Sequence, residues 1–137
     1  MAERGFGFTE IEHTADWSLH VWAPDLPMLF AQCAQGMYWL MEVGLHAQPR
    51  EVRSIVLEEA DAESLLVSFL SELLYLGESE QLGFDQFEVA LDGLRLTARI
   101  SGAPIALQRK EIKAVTYHNL AIRQEGNLLV VTIVFDV

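Results

Sequence analysis

The chain of 137 residues is long enough for one compact domain, which we expect to span residues 1–137. Hydrophobic residues make up 51% of the chain, which excludes a disordered protein. The 20 acidic and 9 basic side chains give a formal net charge of -11, so the surface repels phosphate backbones and excludes strong direct nucleic-acid binding.

The cysteine count and the hydropathy of the chain indicate which kinds of site and which cellular compartment to expect. Cys33 is the only cysteine, so neither an intrachain disulfide nor a thiolate zinc site is available, and we expect Cys33 to be buried and inert. No apolar run reaches the roughly 18 residues of a membrane span, and the N-terminus lacks the apolar core of a signal peptide. We therefore expect a cytoplasmic protein without a membrane segment.

The first part of the chain predicts two strands and a helix. Residues 6–12 and 17–23 are expected to be strands, the second with alternating faces. Asp25 is a natural N-cap and Pro27 suits the first helical turn, so a helix is predicted to run to about Met41.

The second helix is framed by strands. Residues 51–58 are expected to be a strand, Asp61 can cap a helix over residues 62–76, and Gly77 is its natural stop. Asp92-Gly93 predicts a type I′ hairpin because both residues tolerate positive φ. The segments expected to be extended after the second helix are residues 84–91, 94–100, 111–117, 120–123 and 128–135.

Both predicted helices are apolar on nearly every side, which is more than a surface helix needs. A helix of this kind is buried on most sides, and sheet strands on both sides of a helix pair would bury it. The remaining possibility is one sheet face together with a dimer contact.

The first candidate site lies between the first two strands, at residues 12–16. His13, Thr14 and Asp16 in a short loop can supply hard oxygen ligands and a hydrogen-bonding imidazole. The alternative is a turn in which Asp or Thr bonds its own backbone and reverses the chain.

The second candidate is the end of the chain. Asp136 supplies one carboxylate, and Val137 carries the terminal carboxylate. If the last strand lies beside Asp16, these oxygens meet and suit Ca²⁺ or Mg²⁺, which prefer oxygen ligands. The alternative is an exposed acidic tail.

The third candidate surrounds the only two lysines of the chain, Lys110 and Lys113, which follow Arg109. Such a basic segment on an acidic protein can be a docking patch, and His118 can orient a carboxylate or bind a partner. The alternative is a solvated strand edge on which lysine opposes aggregation.

Common catalytic motifs are missing from the sequence. There is no G-x-x-x-x-G-K-[ST] phosphate loop, no H-E-x-x-H zinc helix and no G-x-S-x-G nucleophile turn. Paired carboxylates for acid–base chemistry remain open, because acidic residues are plentiful.

Four segments together resemble the archease family: residues 13–16 (HTAD), the second helix with Leu65-Leu66 and residues 72–75 (ELLY), residues 111–118 (EIKAVTYH) and residues 135–137 (FDV). The resemblance implies an α+β fold, a layered β-α-β sandwich with two apolar helices packed between mainly antiparallel sheets. It also implies a divalent metal site, usually described with Ca²⁺.

By position, this metal site maps onto Asp16, Asp136 and Val137. His13, Thr14, Lys110, Lys113 and His118 are then candidates for supporting the site or contacting a partner. Residues 103–109 depart from the family pattern and are expected to form an unusual loop.

The resemblance further implies a protein cofactor rather than an enzyme. Archeases activate RtcB-type RNA ligases, which join 3′-phosphate or 2′,3′-cyclic phosphate ends to 5′-hydroxyl ends in tRNA splicing or RNA repair. The activator promotes guanylylation of the ligase and multiple turnover. The alternatives are a metal-dependent phosphoesterase, or a general chaperone or modulator of RNA-modifying enzymes such as tRNA methyltransferases.

Overall fold

The computed structural model describes residues 5–11 and 17–137. It contains the helices α1 (Leu26–Met41) and α2 (Ala62–Glu80). Within the described residues the strands are β1 (Gly7–Ile11), β2 (Trp17–Ala23), β3 (Val43–Leu45), β4 (Glu51–Glu58), β5 (Leu82–Asp92), β6 (Arg95–Gln108), β7 (Ala114–Val115), β8 (Arg123–Glu125) and β9 (Leu128–Asp136). Candidate residues His13, Thr14 and Asp16 lie outside the described residues, as does the last residue of the first predicted strand.

The strands form two antiparallel sheets. In the first sheet, β9 lies between β2 and the short strands β7 and β8, and β1 pairs with the outer side of β2. In the second sheet, β5 pairs with most of β6, while β4 and β3 pair with successive parts of β6. The α+β prediction with mainly antiparallel sheets is therefore confirmed.

Each helix packs against strands of both sheets. Helix α1 contacts β2 of the first sheet and β5 of the second, while α2 contacts β7 of the first sheet and both β4 and β5 of the second. The two helices meet where the rings of Phe30 and Phe69 stack with centroids 6.0 Å apart. The sandwich with two helices between sheets follows from these contacts, while the extent of the domain over residues 1–137 stays a prediction.

Both predicted N-caps are confirmed. The carboxylate of Asp25 accepts a hydrogen bond from the Met28 amide at 2.9 Å, and that of Asp61 accepts one from the Ser64 amide at 2.7 Å. Each bond satisfies an amide that has no partner within its own helix. Neither helix of the described residues is long and apolar enough to cross a membrane.

The predicted end of α2 at Gly77 is wrong. The helix continues to Glu80, and Gln81 forms the C-cap with φ 58°. A glycine inside a helix costs about 1 kcal/mol relative to alanine, an amount that tertiary contacts can offset. Here buried Leu76 and the 2.6 Å ion pair from Arg53 to Glu80 hold the last turn in place.

The prediction of a loop at residues 103–109 is also wrong up to Gln108, because β6 runs through this stretch and pairs with β3. Strand β3 has only three residues, too few for a pattern in the sequence. At the hairpin before β6, the paired residues are Asp92 and Arg95. Of the two loop residues between them only Gly93 has positive φ, which indicates a type II′ turn rather than type I′.

Between β6 and β9 the predicted strands are mostly loop. Only Ala114–Val115 of the extended segment predicted at residues 111–117 is a strand, and β8 begins at Arg123, where the strand predicted at residues 120–123 ends. The loop is stabilised by a backbone amide of Ile122, which donates to the carboxylate of Glu63 on α2 at 2.9 Å. Such a long-range bond has no signature in local sequence.

Candidate functional site

The end of β9 is held on both sides by backbone pairing. Phe135 pairs with Trp17 of β2, and Asp136 pairs with Ala114 of β7. The Lys113 amide also donates to the Asp136 carbonyl at 2.8 Å. Asp136 itself is exposed, so the main chain fixes its position while its carboxylate faces solvent.

The segment after β7 is tied to the same strand by a threonine. The amide and the hydroxyl of Thr116 both donate to the Val134 carbonyl, at 3.1 and 2.9 Å. The Thr116 oxygen in turn accepts a hydrogen bond from the His118 amide at 3.2 Å. The His118 ring is exposed, and its Nε2 lies 3.3 Å from the side-chain nitrogen Nδ2 of Asn119. His118 is thus presented on a turn beside the end of β9.

Lys110 connects the first helix with the strand that follows Asp16. Its ammonium lies 3.1 Å from a carboxylate oxygen of Glu42 and 5.4 Å from the ring centroid of Trp17. The backbone amides of Arg109 and Lys110 both donate to the carbonyl of Met41 at the end of α1. These bonds satisfy a helix-terminal carbonyl and fix the position of the lysine.

Lys113 faces a different helix. It lines a shallow cleft of about 190 Å³ together with Tyr75 and Glu78 of α2. The two lysines that are close in sequence therefore serve different surfaces, Lys110 beside α1 and Lys113 beside α2. A single continuous docking patch formed by both does not follow from this geometry.

The described part of the predicted metal site offers only oxygen donors. Asp136 is exposed, so its carboxylate can reach a cation, and Val137 beside it is 39% exposed. Hard cations such as Ca²⁺ and Mg²⁺ take such ligands. Within residues 5–11 and 17–137 there is no group of three His, Cys, Asp or Glu side chains that could hold a metal ion. The third predicted ligand, Asp16, lies outside these ranges.

One surface was missed by sequence reasoning, which predicted that the helices are buried nearly all round. Trp39 on α1 is 56% exposed, and its ring centroid lies 6.0 Å from that of Phe8 on β1. We name the surrounding depression, of about 560 Å³, the α1 groove; it is lined by Phe8, Glu10, Tyr38, Trp39, Glu42 and Lys110, among others. The side chains of a helix do not reveal which part of it the sheets leave uncovered.

Two buried groups have altered acidity. Burial raises the pKa of the Cys33 thiol, so the reactive thiolate is disfavoured and the prediction of a buried cysteine is confirmed. Burial also raises the pKa of the Tyr38 hydroxyl, against an opposing effect of the Phe84 backbone. No atom of the described residues makes a hydrogen bond of good geometry to the Tyr38 oxygen.

The fold is that of a known class of small α+β proteins. The solution structure of protein 1598 from Methanobacterium thermoautotrophicum has a TM-score of 0.71 and 28% sequence identity, and the match covers 97% of this chain and 99% of that chain. The crystal structure of an archease, possible chaperone, from Thermotoga maritima has a TM-score of 0.70 over 93% of this chain and 94% of that chain. Its identity of 23% supports the shared fold alone.

Sequence comparison defines the family. Residues 8–137 match the model of the Archease protein family (MTH1598/TM1083). Protein archease from Thermococcus gammatolerans is 36% identical over 121 residues, a match that covers 82% of this chain and 85% of the relative. The chain belongs to the archease family.

Proposed function

We propose that this protein is an accessory factor that activates an RtcB-type RNA ligase by promoting its guanylylation and multiple turnover, and that it is not itself an enzyme. The observation that carries the proposal is the family match over residues 8–137. The protein would act in the cytoplasm, in tRNA splicing or RNA repair. Its net charge of -11 supports action through a protein partner rather than through RNA contacts.

The proposal includes a divalent cation, Ca²⁺ by the family resemblance, held by the oxygen donors of Asp16, Asp136 and the terminal carboxylate of Val137. Trp17, which follows Asp16, pairs with Phe135, which precedes Asp136. The described neighbours of the two aspartates therefore lie side by side on adjacent strands, which supports a shared cation.

The bound cation would supply a fixed positive charge that draws the carboxylates together. We name the proposed site of Asp16, Asp136 and Val137 the acidic tip. Its three carboxylates and one dication leave a net negative charge, so the tip suits the electropositive entrance of a ligase that handles RNA and nucleotide. His13 and Thr14 would support the tip. Lys110, Lys113 and His118 would contact the partner around it.

The first test is ligation of a 3′-phosphate RNA to a 5′-hydroxyl RNA by a substoichiometric amount of the ligase from the same organism. We expect more turnovers per ligase when this protein is present, and no ligation by this protein alone. An active ligase whose turnover does not change would refute the accessory role. Joining or hydrolysis by this protein alone would refute its non-enzymatic character and favour the phosphoesterase alternative.

The second test concerns the tip. We expect Asp136→Asn to abolish ligase stimulation and weaken Ca²⁺ binding, measured by calorimetry, while the circular dichroism spectrum stays unchanged. Asp92→Asn is the matched control, because Asp92 is also an exposed carboxylate at the end of a strand, β5. Equal stimulation by both variants would remove Asp136 from the mechanism. Undiminished Ca²⁺ binding after extension beyond Val137 would remove the terminal carboxylate.

A second candidate function is a general chaperone or a modulator of enzymes such as tRNA methyltransferases. It is favoured by the description of the Thermotoga maritima archease as a possible chaperone. A chaperone should suppress aggregation of unrelated proteins whether or not Asp136 is present. Stimulation of one ligase that requires Asp136 would favour the accessory role instead.

A further inference from the structure

We propose that the α1 groove is a docking surface for a segment of the partner ligase that carries apolar and basic side chains. This inference rests on the proposed function and adds a second contact, separate from the acidic tip. It is argued from the apolar lining of the groove, its charge, and its connection to the end of β9.

The apolar part of the argument is an aromatic cluster that the fold leaves open. Trp39 is 56% exposed, and its ring packs against the half-buried ring of Phe8. Tyr38, the preceding residue on α1, also lines the groove, and its ring stacks on that of Phe87 with centroids 6.4 Å apart. Tryptophan and tyrosine in such settings are the residues that most often dominate protein interfaces.

The charges of the groove select a basic segment. Glu42 is paired with Lys110, whereas Glu10, on the β1 side of the groove, has no ion pair among the residues that the structure describes. The whole protein adds a long-range negative field, with a net charge of -11. A partner segment with arginine or lysine beside its apolar residues can therefore pair with Glu10 while it covers Trp39.

The groove is also connected to the proposed tip. Lys110 lines the groove, bonds to Glu42 and lies over the ring of Trp17. Trp17 pairs with Phe135, the residue before Asp136. One partner could thus cover the groove while the end of β9 reaches its active site.

The exposed aromatic residue of the other helix lacks these features. Tyr75 on α2 is 60% exposed, comparable to Trp39, but it borders a smaller cleft of about 190 Å³ beside Lys113. That cleft has one carboxylate, Glu78, to balance Lys113, whereas the α1 groove has two carboxylates beside its one lysine, so the cleft attracts a basic segment less. Tyr75 is therefore a matched control for exposed aromatic area without the charge of the α1 groove.

The test is calorimetric titration of the ligase with wild-type protein, Trp39→Ala and Tyr75→Ala at fixed ionic strength. We expect Trp39→Ala to raise the dissociation constant about tenfold or more, because it removes a central aromatic side chain of the interface. Tyr75→Ala should change the dissociation constant less than about twofold. Glu10→Lys should weaken binding as well, and the effect should shrink at high salt. Glu125→Lys, at the exposed end of β8, is its control.

The outcomes separate this inference from the proposed function. If wild-type protein binds and stimulates the ligase but Trp39→Ala binds equally well, the groove is not the docking surface and the accessory role stands. If wild-type protein does not bind the ligase at all, both proposals fail. If Trp39→Ala does not fold by circular dichroism, Trp39→Gln and Glu10→Lys decide, and unchanged binding by these two overturns the inference.

Discussion

The two helices look alike in sequence but occupy different environments. Each starts at an aspartate N-cap, carries apolar residues nearly all round and ends at a left-handed residue, Glu42 after α1 and Gln81 after α2. Helix α1, however, packs so closely on β1 and β2 that a glycine, Gly36, is needed at the contact. Helix α2 carries its glycine, Gly77, where there is room for a side chain. Helices with similar apolar patterns can therefore differ in whether their packing leaves space for an added side chain.

The largest expected effect is on the contact that both helices share. Phe69→Ala removes a fully buried ring that stacks on Phe30, so we expect the free energy of unfolding to fall by about 3–5 kcal/mol. Tyr75→Ala, on the exposed side of the same helix, should change it by less than about 0.5 kcal/mol. Urea unfolding followed by circular dichroism measures both. Similar losses in the two variants would contradict the assignment of the core.

The next effect is a change in stability that should have opposite signs in the two helices when a glycine is replaced by alanine. A Cβ at Gly36 would lie 2.4 Å from the Leu19 side chain and 3.0 Å from that of Phe8, so Gly36→Ala should destabilise the protein by about 1–3 kcal/mol. A Cβ at Gly77 would make only ordinary contacts, at 3.7 and 3.9 Å, so Gly77→Ala should stabilise the protein by about 0.5–1 kcal/mol. Thermal unfolding of both variants checks the prediction. Destabilisation by Gly77→Ala would show that α2 tolerates no side chain there.

The smallest effect concerns acid stability and the N-terminus of α2. Hydrogen bonds from the Ser64 amide and side chain lower the pKa of Asp61. A carboxyl whose pKa is lowered by folding stabilises the protein above the pKa of the unfolded chain, about 4, and this stability is lost as the pH falls through the folded pKa. Asp61→Asn should therefore lose less stability than wild type between pH 6 and pH 2, as judged by urea midpoints.

The control for the acid prediction is an exposed, non-titrating position on the same helix. Ser71→Asn should show the same pH dependence as wild type. If Asp61→Asn and wild type follow the same curve, the cap of α2 does not contribute to acid sensitivity. Glu80, whose pKa is lowered by its hydrogen bond to Arg53, would then be the remaining carboxyl to test.

The features predicted correctly are those with local causes. An aspartate N-cap acts on an amide three residues away, so Asp25 and Asp61 could be recognised from spacing alone. Burial of Cys33 followed from its apolar neighbours. The strand at residues 51–58 was predicted at its observed bounds because its pattern extends over eight residues.

The features that were missed depend on partners far along the chain. The extension of β6 to Gln108 requires pairing with β3, and the loop before β8 depends on the bond from Ile122 to Glu63. The split of Lys110 and Lys113 between two helices likewise has no local signal. The prediction that Asp16, Asp136 and Val137 form one metal site stays a prediction.

The sequence by itself determined the two helices with their N-caps and the acidic surface, because periodicity, short-range hydrogen bonds and net charge are properties of local sequence or composition. The family and the antiparallel α+β fold were implied by the resemblance of four segments to archeases. Only the tertiary structure decided which side of each helix stays open. The exposure of Trp39 depends on where the edges of two sheets end around α1, and that arrangement is set by long-range strand pairing. The position of Lys110 between Glu42 and Trp17 depends on the same pairing, which joins residues about a hundred positions apart.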